Sequence, residues 1–367
     1  MPLKEIKNNF ACPVFEKVLI LHNTFGPAND PLYESRAGVL EQVKMVEQSC
    51  DKLGIKSTTL TIENLNHLMK VLESRKEKII FNLIEEFVGN IEHAPFVPVI
   101  CQAFGKACTG SKTSVLVTAQ NKFQTKALLS AHGISCPTGI VLQPAEKFNP
   151  NLLKKGKYII KPALSDASEG ITADCVVSMP TEREKAKAII RQLQQRFNQP
   201  IMIEQYIAGR ELNVSVLQRN GKVDVLPIAE IDFSAFPKEL PRIVDYSAKW
   251  EKESFAYNNT PRKIPADLDF NLSNEIEKLA ISAWHALGCQ DYIRVDFRLD
   301  EENKPYVIEI NPNPDISADA GFAAALEAGG INYELFVFAI IENASKRLVG
   351  ANPCVRPCGQ THRSAPI

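Results

Sequence analysis

The stretch DYIRVDFRLDEENKPYVIEINPNPDIS, Asp291 to Ser317, decides the fold. Ile293, Val295 and Phe297 alternate with Arg294, Asp296 and Arg298, and the polar EENKP then turns the chain into YVIEI, which reads as two strands joined by a hairpin. Successive side chains on a strand point to opposite faces, so Arg294, Asp296 and Arg298 share one face. Glu309 lies in the second strand, and Asn311 follows it with the same parity. Such a face offers two carboxylates, an amide oxygen and a guanidinium. The oxygens suit Mg²⁺, and the guanidinium suits a phosphoryl group or an oxyanion. The competing reading is the solvated outer face of an antiparallel hairpin. Glu309 weighs against it, because a merely solvated carboxylate is out of place within the apolar run YVIEI. Asn-Pro-Asn-Pro, 311–314, then ends the strand and fixes the backbone beyond the oxygen donors.

Working outward, 367 residues exceed what one small core needs and suggest two or three lobes. The composition is ordinarily globular, 45% hydrophobic and 23% charged, with a net charge of −1 and no basic stripe to track nucleic-acid phosphates. No apolar run reaches the length of a membrane span, and MPLKEIKNNF lacks a signal-peptide core, so the expected setting is cytoplasmic. The nine cysteines are scattered without a CxxC pair and read as reduced thiols; Cys354 and Cys358 fall in the tail without a His or second Cys pair in support of zinc.

From the N-terminus, residues 1–15 read as a loose leader. KVLILHN is a buried strand, Tyr33 to Leu53 has helical periodicity stopped by Gly54, and KSTTLTI, a short helix around Asn64 to Ser74 and KIIFNLI follow. This βαβαβ order predicts a parallel sheet, whose ligands gather at the carboxyl ends of the strands. Glu85 and Glu86 stand there, either to hold a substrate ammonium or to cap the helix that follows. Residues 92–110 read as a connection, and Val115 to His132 as one helix.

A second region, 121–207, carries KYIIKP, a strand ending in Lys161 and followed by the small-residue loop ALSDASEGI. Backbone N–H groups in such a loop can cradle phosphates. Neither GxxxxGK[ST] nor GxGxxG occurs, so P-loop and Rossmann chemistry are unsupported. In PIMIEQYIAGRELNVSVL, a linker at Gln205 to Ile207 joins two strands with Glu204 and Glu211 on either side. A base could bond the linker backbone while a carboxylate meets the ribose. The segment from Phe236 to Pro265 loses periodicity while Tyr246, Lys249, Trp250, Arg262 and Lys263 accumulate, and it reads as a functional loop with Lys249 turned inward. Asn271 to Leu287 is an amphipathic helix stopped by Gly288. The third lobe therefore spans 208–347, and 348–367 is a Pro/Cys-rich tail.

In order, NKFQTK, YIIKPA with its loop, EQYIAGRE, DYSAK, RVDF and VIEINPNP resemble the ATP-grasp fold, specifically the D-alanine–D-alanine ligase family, over about residues 15 to 345. The resemblance implies an α/β (α+β) protein in which an N-terminal parallel lobe, 16–120, precedes two α+β lobes that clasp ATP. It further implies a carboxylate–amine ligase acting through an acylphosphate. Carried over by position, Lys122 and Lys161 meet the α- and β-phosphates, with Ser168 and Gly170 in the loop above them. Glu204, Tyr206 and Ile207 hold adenine, Glu211 the ribose, and Lys249 the γ-phosphate. Asp296, Glu309 and Asn311 bind two Mg²⁺ (or Mn²⁺), and Arg294 steadies the tetrahedral oxyanion. The resemblance also implies a homodimer and small-molecule carboxylate and amine substrates.

The departures from the family pattern fall on the amino-acid pocket. Ile84-Glu85-Glu86 stands where a His-Gly is usual, and Ala320-Gly321 where Ser-Leu holds the second substrate's carboxylate. Ala167 and Trp250 replace a Ser and a Tyr. The expected substrate is therefore an amino acid or similar metabolite other than D-alanine, met by an acidic pocket that includes Glu85, Glu86, Asp315 and Ser317. True D-alanine–D-alanine ligation is one alternative. A nucleotide-binding protein that has lost catalysis is another, disfavoured by the retained Arg294.

Overall fold

The computed structural model describes residues 17–30, 33–88, 90–165 and 168–351. The expectations for the leader, for Ala167 and for residues 352–367 lie outside the described residues.

Three sheets carry the chain. The first joins β1 (Lys17–Asn23), β2 (Lys56–Ile62), β3 (Ile79–Leu83) and β4 (Ala107–Cys108) in the order β2-β1-β3-β4, all parallel. Alternate residues of β1 serve two cores: Val18 and Ile20 pack on one face, Leu19 and Leu21 on the other. Burial on both faces is what a continuous VLIL run requires. The helix Val39–Leu53 covers the first face together with the last helix, Tyr333–Ala351, whose Phe336, Val337 and Ile340 return to the N-terminal core.

The second sheet, antiparallel, orders β5 (Gly139–Leu142), β6 (Gly156–Pro162), β7 (Val176–Met179) and β8 (Ile201–Gln205) as β5-β8-β6-β7. Ile160, Ile201 and Ile203 pack under the helix Arg183–Phe197, which leaves Lys161 and Glu204 on the opposite face. The third comprises β9 (Glu211–Arg219), β10 (Lys222–Val225), β11 (Ala229–Ile231), β12 (Arg262–Lys263), β13 (Tyr292–Leu299) and β14 (Pro305–Asn311). Leu212, Val214, Ile293, Val295 and Phe297 bury against the helix Phe270–Leu287, so Glu211, Asn213, Arg294, Asp296 and Arg298 fall on the other side. The hairpin is as its alternation predicts. Its polar face is not a solvated outer surface, however, for Asp296 and Arg298 are buried where the second and third sheets face each other.

Several elements differ from the sequence reading. The helix expected over 115–132 is two helices, Thr113–Gln120 and Lys122–Ala131, because Asn121 turns extended and its side chain accepts the Phe123 and Gln124 N–H groups. Residues 92–110 are not merely a connection: a 3₁₀ turn, Ala94–Phe96, leads into the helix Val97–Ala103 and then β4. Pro95 and Pro98 stand in first turns, where a missing N–H costs no bond. The functional loop contains the short helices Tyr246–Trp250 and Phe255–Asn258, capped by Asp245 and Ser254. The last helix continues past 347 to Ala351.

Candidate active site

One cleft of about 1210 Å³ runs between the three sheets, and every site residue expected from sequence lines it except Gly170, whose neighbours Glu169 and Ile171 do. β13 supplies the floor. Asp296 is in register with Glu309 on one side and Asn213 on the other, and Arg294 with Asn311. A bulge between Asp296 and Phe297 shifts the register after this pair, so the alignment holds at the functional end of the hairpin.

Arg294 grips Asp296 with two parallel bonds, Nε to Oδ1 at 2.7 Å and Nη2 to Oδ2 at 2.8 Å, while Asn213 Nδ2 donates to Oδ1 at 2.9 Å. This fixes the guanidinium plane and leaves Nη1 without a partner among the described residues. Burial works against the Arg294 charge, but Asp296 outweighs it and raises its pKa, so it stays cationic. Lys122 reaches Glu309 Oε1 at 2.8 Å and the Ser165 carbonyl at 2.5 Å. Burial opposes the Glu309 charge as well, yet Lys122 and Lys161 hold its pKa below the ordinary carboxylate value.

Glu204, 2% exposed, lies between two lysines: Lys161 at 2.7 Å and Lys126 on its other oxygen. Burial lowers the Lys126 pKa to about 8, and Lys161 adds to that while Glu204 opposes it. Lys126 was not singled out from sequence, although it sits four residues after Lys122 on the same helix and hence on the same face. Arg298 was also given no role. It holds the linker in place by donating to the carbonyls of Ile207 (3.0 Å), Gly209 (3.0 Å) and Arg242 (2.6 Å) and to Glu211 Oε2 (2.8 Å). Tyr206 lies against that guanidinium, and its hydroxyl accepts the Arg242 N–H at 2.9 Å.

The loop after β6 is held by Gln199, which accepts the Leu164 N–H at 2.7 Å and donates to Ser165 Oγ at 2.8 Å. Ser168 and Gly170 both have positive φ, 61° and 75°. A Cβ at Gly170 would come within 2.7 Å of the Phe197 ring. Ser168 Oγ donates to the Val244 carbonyl at 2.7 Å, and the Tyr246 N–H to the Ile171 carbonyl at 3.2 Å, so the 164–171 loop meets the segment carrying Lys249. Lys249 is half-buried with no hydrogen bond among the described residues; burial and then Arg294 lower its pKa against Glu309, Asp296 and Glu211.

At the far end, Glu85 accepts from Gln42 Nε2 at 2.7 Å, and Glu86 is ion-paired with Arg36. Glu86 is thus already neutralised. Asp315 Oδ1 accepts the Ser317 N–H at 2.8 Å, and Ser317 Oγ donates to Asp319 at 3.2 Å.

Two carboxylates and an amide oxygen on paired strands form a hard donor set that fits Mg²⁺ shared with phosphates, and among the described residues no three His, Cys, Asp or Glu side chains are grouped so that they alone could hold a metal ion. Basic groups along the cleft, a positioned linker and these oxygens are the features that a site of the ATP-grasp class would need. Comparison with known proteins agrees. The family model for the D-ala D-ala ligase C-terminus matches residues 141–342. A D-alanine–D-alanine ligase of Bordetella avium is 30% identical over 241 residues, covering 65% of this chain and 70% of that protein. An uncharacterised protein of Sinorhizobium fredii is 27% identical over 300 residues, covering 80% and 84%. The crystal structure of the D-alanine–D-alanine ligase from Bacillus anthracis complexed with ATP shares the fold with a TM-score of 0.69 at 19% identity, covering 91% of this chain and 99% of that one. The chain belongs to the D-alanine–D-alanine ligase family defined by that C-terminal domain, and it is an ADP-forming ATP-grasp ligase.

Proposed function

We propose that the protein joins the carboxylate of an amino acid or a similar small metabolite, other than D-alanine, to an amine through an acylphosphate. The donor carboxylate attacks the γ-phosphorus of ATP and ADP leaves. The amine then adds to the acyl carbon, and the tetrahedral intermediate expels phosphate and loses the amine proton. The observation that carries this reading is the buried face of β13 and β14, where Arg294, Asp296, Glu309 and Asn311 share one wall of a cleft with Lys122, Lys161 and Lys249.

Lys122, Lys161 and Lys249 would neutralise phosphate charge, and Glu204, Tyr206, Ile207 and Glu211 would hold the nucleoside. Burial raises the Glu211 pKa against Arg298, which suits a carboxyl group shared with ribose hydroxyls. Asp296, Glu309 and Asn311 would hold Mg²⁺, two ions in this reading, which supplies Lewis-acid neutralisation of the transferred phosphoryl group. Arg294, fixed by Asp296, presents its remaining N–H groups to the developing oxyanion. Since the protein does little covalent work, rate comes from positioning and electrostatics. The expected homodimer is part of this proposal and is checked by light scattering.

The distinguishing assay is Mg-ATP-dependent phosphate release against D- and L-amino acids and small carboxylates, with Asp296→Asn as the blank. Release with a pair that excludes D-alanine, lost in the variant, is the expected result. Release stimulated by D-alanine alone would instead establish the activity that the Bordetella relative's name carries.

A further inference from the structure

Arg298 has no part in the reaction above, yet it is only 4% exposed and its four hydrogen bonds reach three separate parts of the site. Nε and Nη2 donate to the Ile207 and Gly209 carbonyls of the linker. Nη1 donates both to Glu211 Oε2 and to the Arg242 carbonyl. The guanidinium also lies over the rings of Tyr206 and Phe233, 5.5 and 6.0 Å from their centroids. A planar fork of N–H donors holds such a divergent set at once, which a single ammonium does not.

Glu211 stands directly opposite Arg298 in the pairing of β9 with β13, so the ladder fixes their ion pair. That pair occupies Oε2 and leaves Oε1 with no hydrogen bond among the described residues, on a side chain that lines the cleft. Burial lifts the Glu211 pKa, and Arg298 is the foremost group pulling it back. Arg242 is held from two sides: the Tyr206 hydroxyl accepts its N–H at 2.9 Å, and Arg298 donates to its carbonyl. Three residues on, Asp245 caps the helix Tyr246–Trp250, which carries Lys249. One buried guanidinium therefore touches the linker, the carboxylate beside it and the start of the segment that brings Lys249 to the cleft.

We propose that Arg298 is a positioning residue for nucleotide selection: it aims Glu211 at the ribose hydroxyls and, through the Arg242 carbonyl, fixes the segment that leads to Lys249. Gripped on Oε2, Glu211 presents Oε1 in one direction. A sugar that lacks the hydroxyl meeting it leaves a buried carboxylate oxygen unpaired, and a site built to accept a hydrogen bond rejects such an analogue strongly. The selection is therefore for a ribonucleotide over its deoxy analogues, and the same bound state holds the Lys249 segment in place. This inference rests on the reading that the linker and Glu211 hold the nucleoside.

The test measures Kd for ATP, 2′-deoxyATP and 3′-deoxyATP by calorimetry with Mg²⁺ present, in wild type, Arg298→Lys and Arg298→Met. Trypsin cleavage after Arg242 and Lys249, mapped by mass spectrometry with and without saturating ATP, is the second readout. In wild type at least one deoxynucleotide is expected to bind about tenfold more weakly than ATP, the worth of one hydrogen bond to a charged group. ATP is expected to protect both cleavage sites. In the variants the ratio falls to about threefold or less and the protection is lost, because neither side chain reproduces the fork. Arg298→Lys keeps a cation beside Glu211 and decides the matter if Arg298→Met fails to fold. A Lys variant that weakens ATP and its deoxy analogues in equal proportion overturns the proposal, since Arg298 is then structural only, and so does unchanged protection of the two sites. Wild type that binds all three nucleotides equally overturns it and leaves the nucleotide reading standing; wild type that binds none overturns both.

Discussion

Glu204 is buried with Lys126 and Lys161 on its two oxygens, an arrangement that is stable only while the carboxylate is charged. Burial works to raise its pKa, and the two lysines overcome this and hold it below the 4.5 of an unperturbed glutamate. The unfolded chain therefore binds the proton first as pH falls. The stability that Glu204 contributes is complete above about 4.5 and fades as pH drops towards the folded value. Glu204→Gln strands two buried ammonium groups and is expected to cost about 3 kcal/mol at neutral pH, with a flatter acid limb, in urea unfolding curves. A loss below about 1 kcal/mol with an unchanged acid limb would show that the lysines are compensated elsewhere. Sequence located Glu204 beside a linker and Lys161 at the end of a strand but missed Lys126, because its partner lies on a strand far along the chain and helix spacing alone names no partner. Glu86 shows the reverse: it was visible at a strand exit, but its neutralisation by Arg36 depends on how the intervening helix folds back.

At the scale of elements, the linker after β8 is pinned by close backbone approach. A Cβ at Gly209 would stand 2.3 Å from the Leu299 carbonyl oxygen and 3.0 Å from that of Asp300, atoms fixed at the end of β13. Gly209→Ala must push the linker away from Arg298, which holds the Ile207 and Gly209 carbonyls. The expected outcome is a loss of about 1–3 kcal/mol in stability and a raised KM for ATP, measured by thermal unfolding and steady-state kinetics. Unchanged values for both would mean that the linker is not a nucleotide-positioning element. The hairpin was legible because period-two alternation survives burial, its polar face meeting a cleft instead of water. The helices around Asn121 and Pro98 were not, because a capping side chain and a first-turn proline resemble loop residues until backbone geometry shows which way the chain runs.

Across the whole molecule, the last helix ties the lobes together. Arg347 holds fully buried Asp291 with two bonds of 2.8 Å, Asp291 also accepts the Gly110 N–H at 2.7 Å, and Arg347 reaches the Cys108 carbonyl at 2.9 Å. The start of the hairpin is thereby locked to the end of the parallel sheet. Such long-range pairs carry no local pattern, so sequence gave the order of the motifs and the structure supplies their convergence. No single helix among the described residues is long and apolar enough to cross a membrane; the bent pair Gly321–Ala328 and Tyr333–Leu348 meets that test only together, with a 106° break, and packs in the core. In the proposed reaction the cleft transfers a phosphoryl group to a carboxylate before an amine attacks. Its most direct test uses a donor labelled with oxygen-18 in the carboxylate, with the released phosphate examined by mass spectrometry. One labelled oxygen per phosphate is the predicted result, since the acylphosphate bridge oxygen comes from the donor and leaves with phosphorus. Unlabelled phosphate accompanying amide formation would rule out an acylphosphate intermediate.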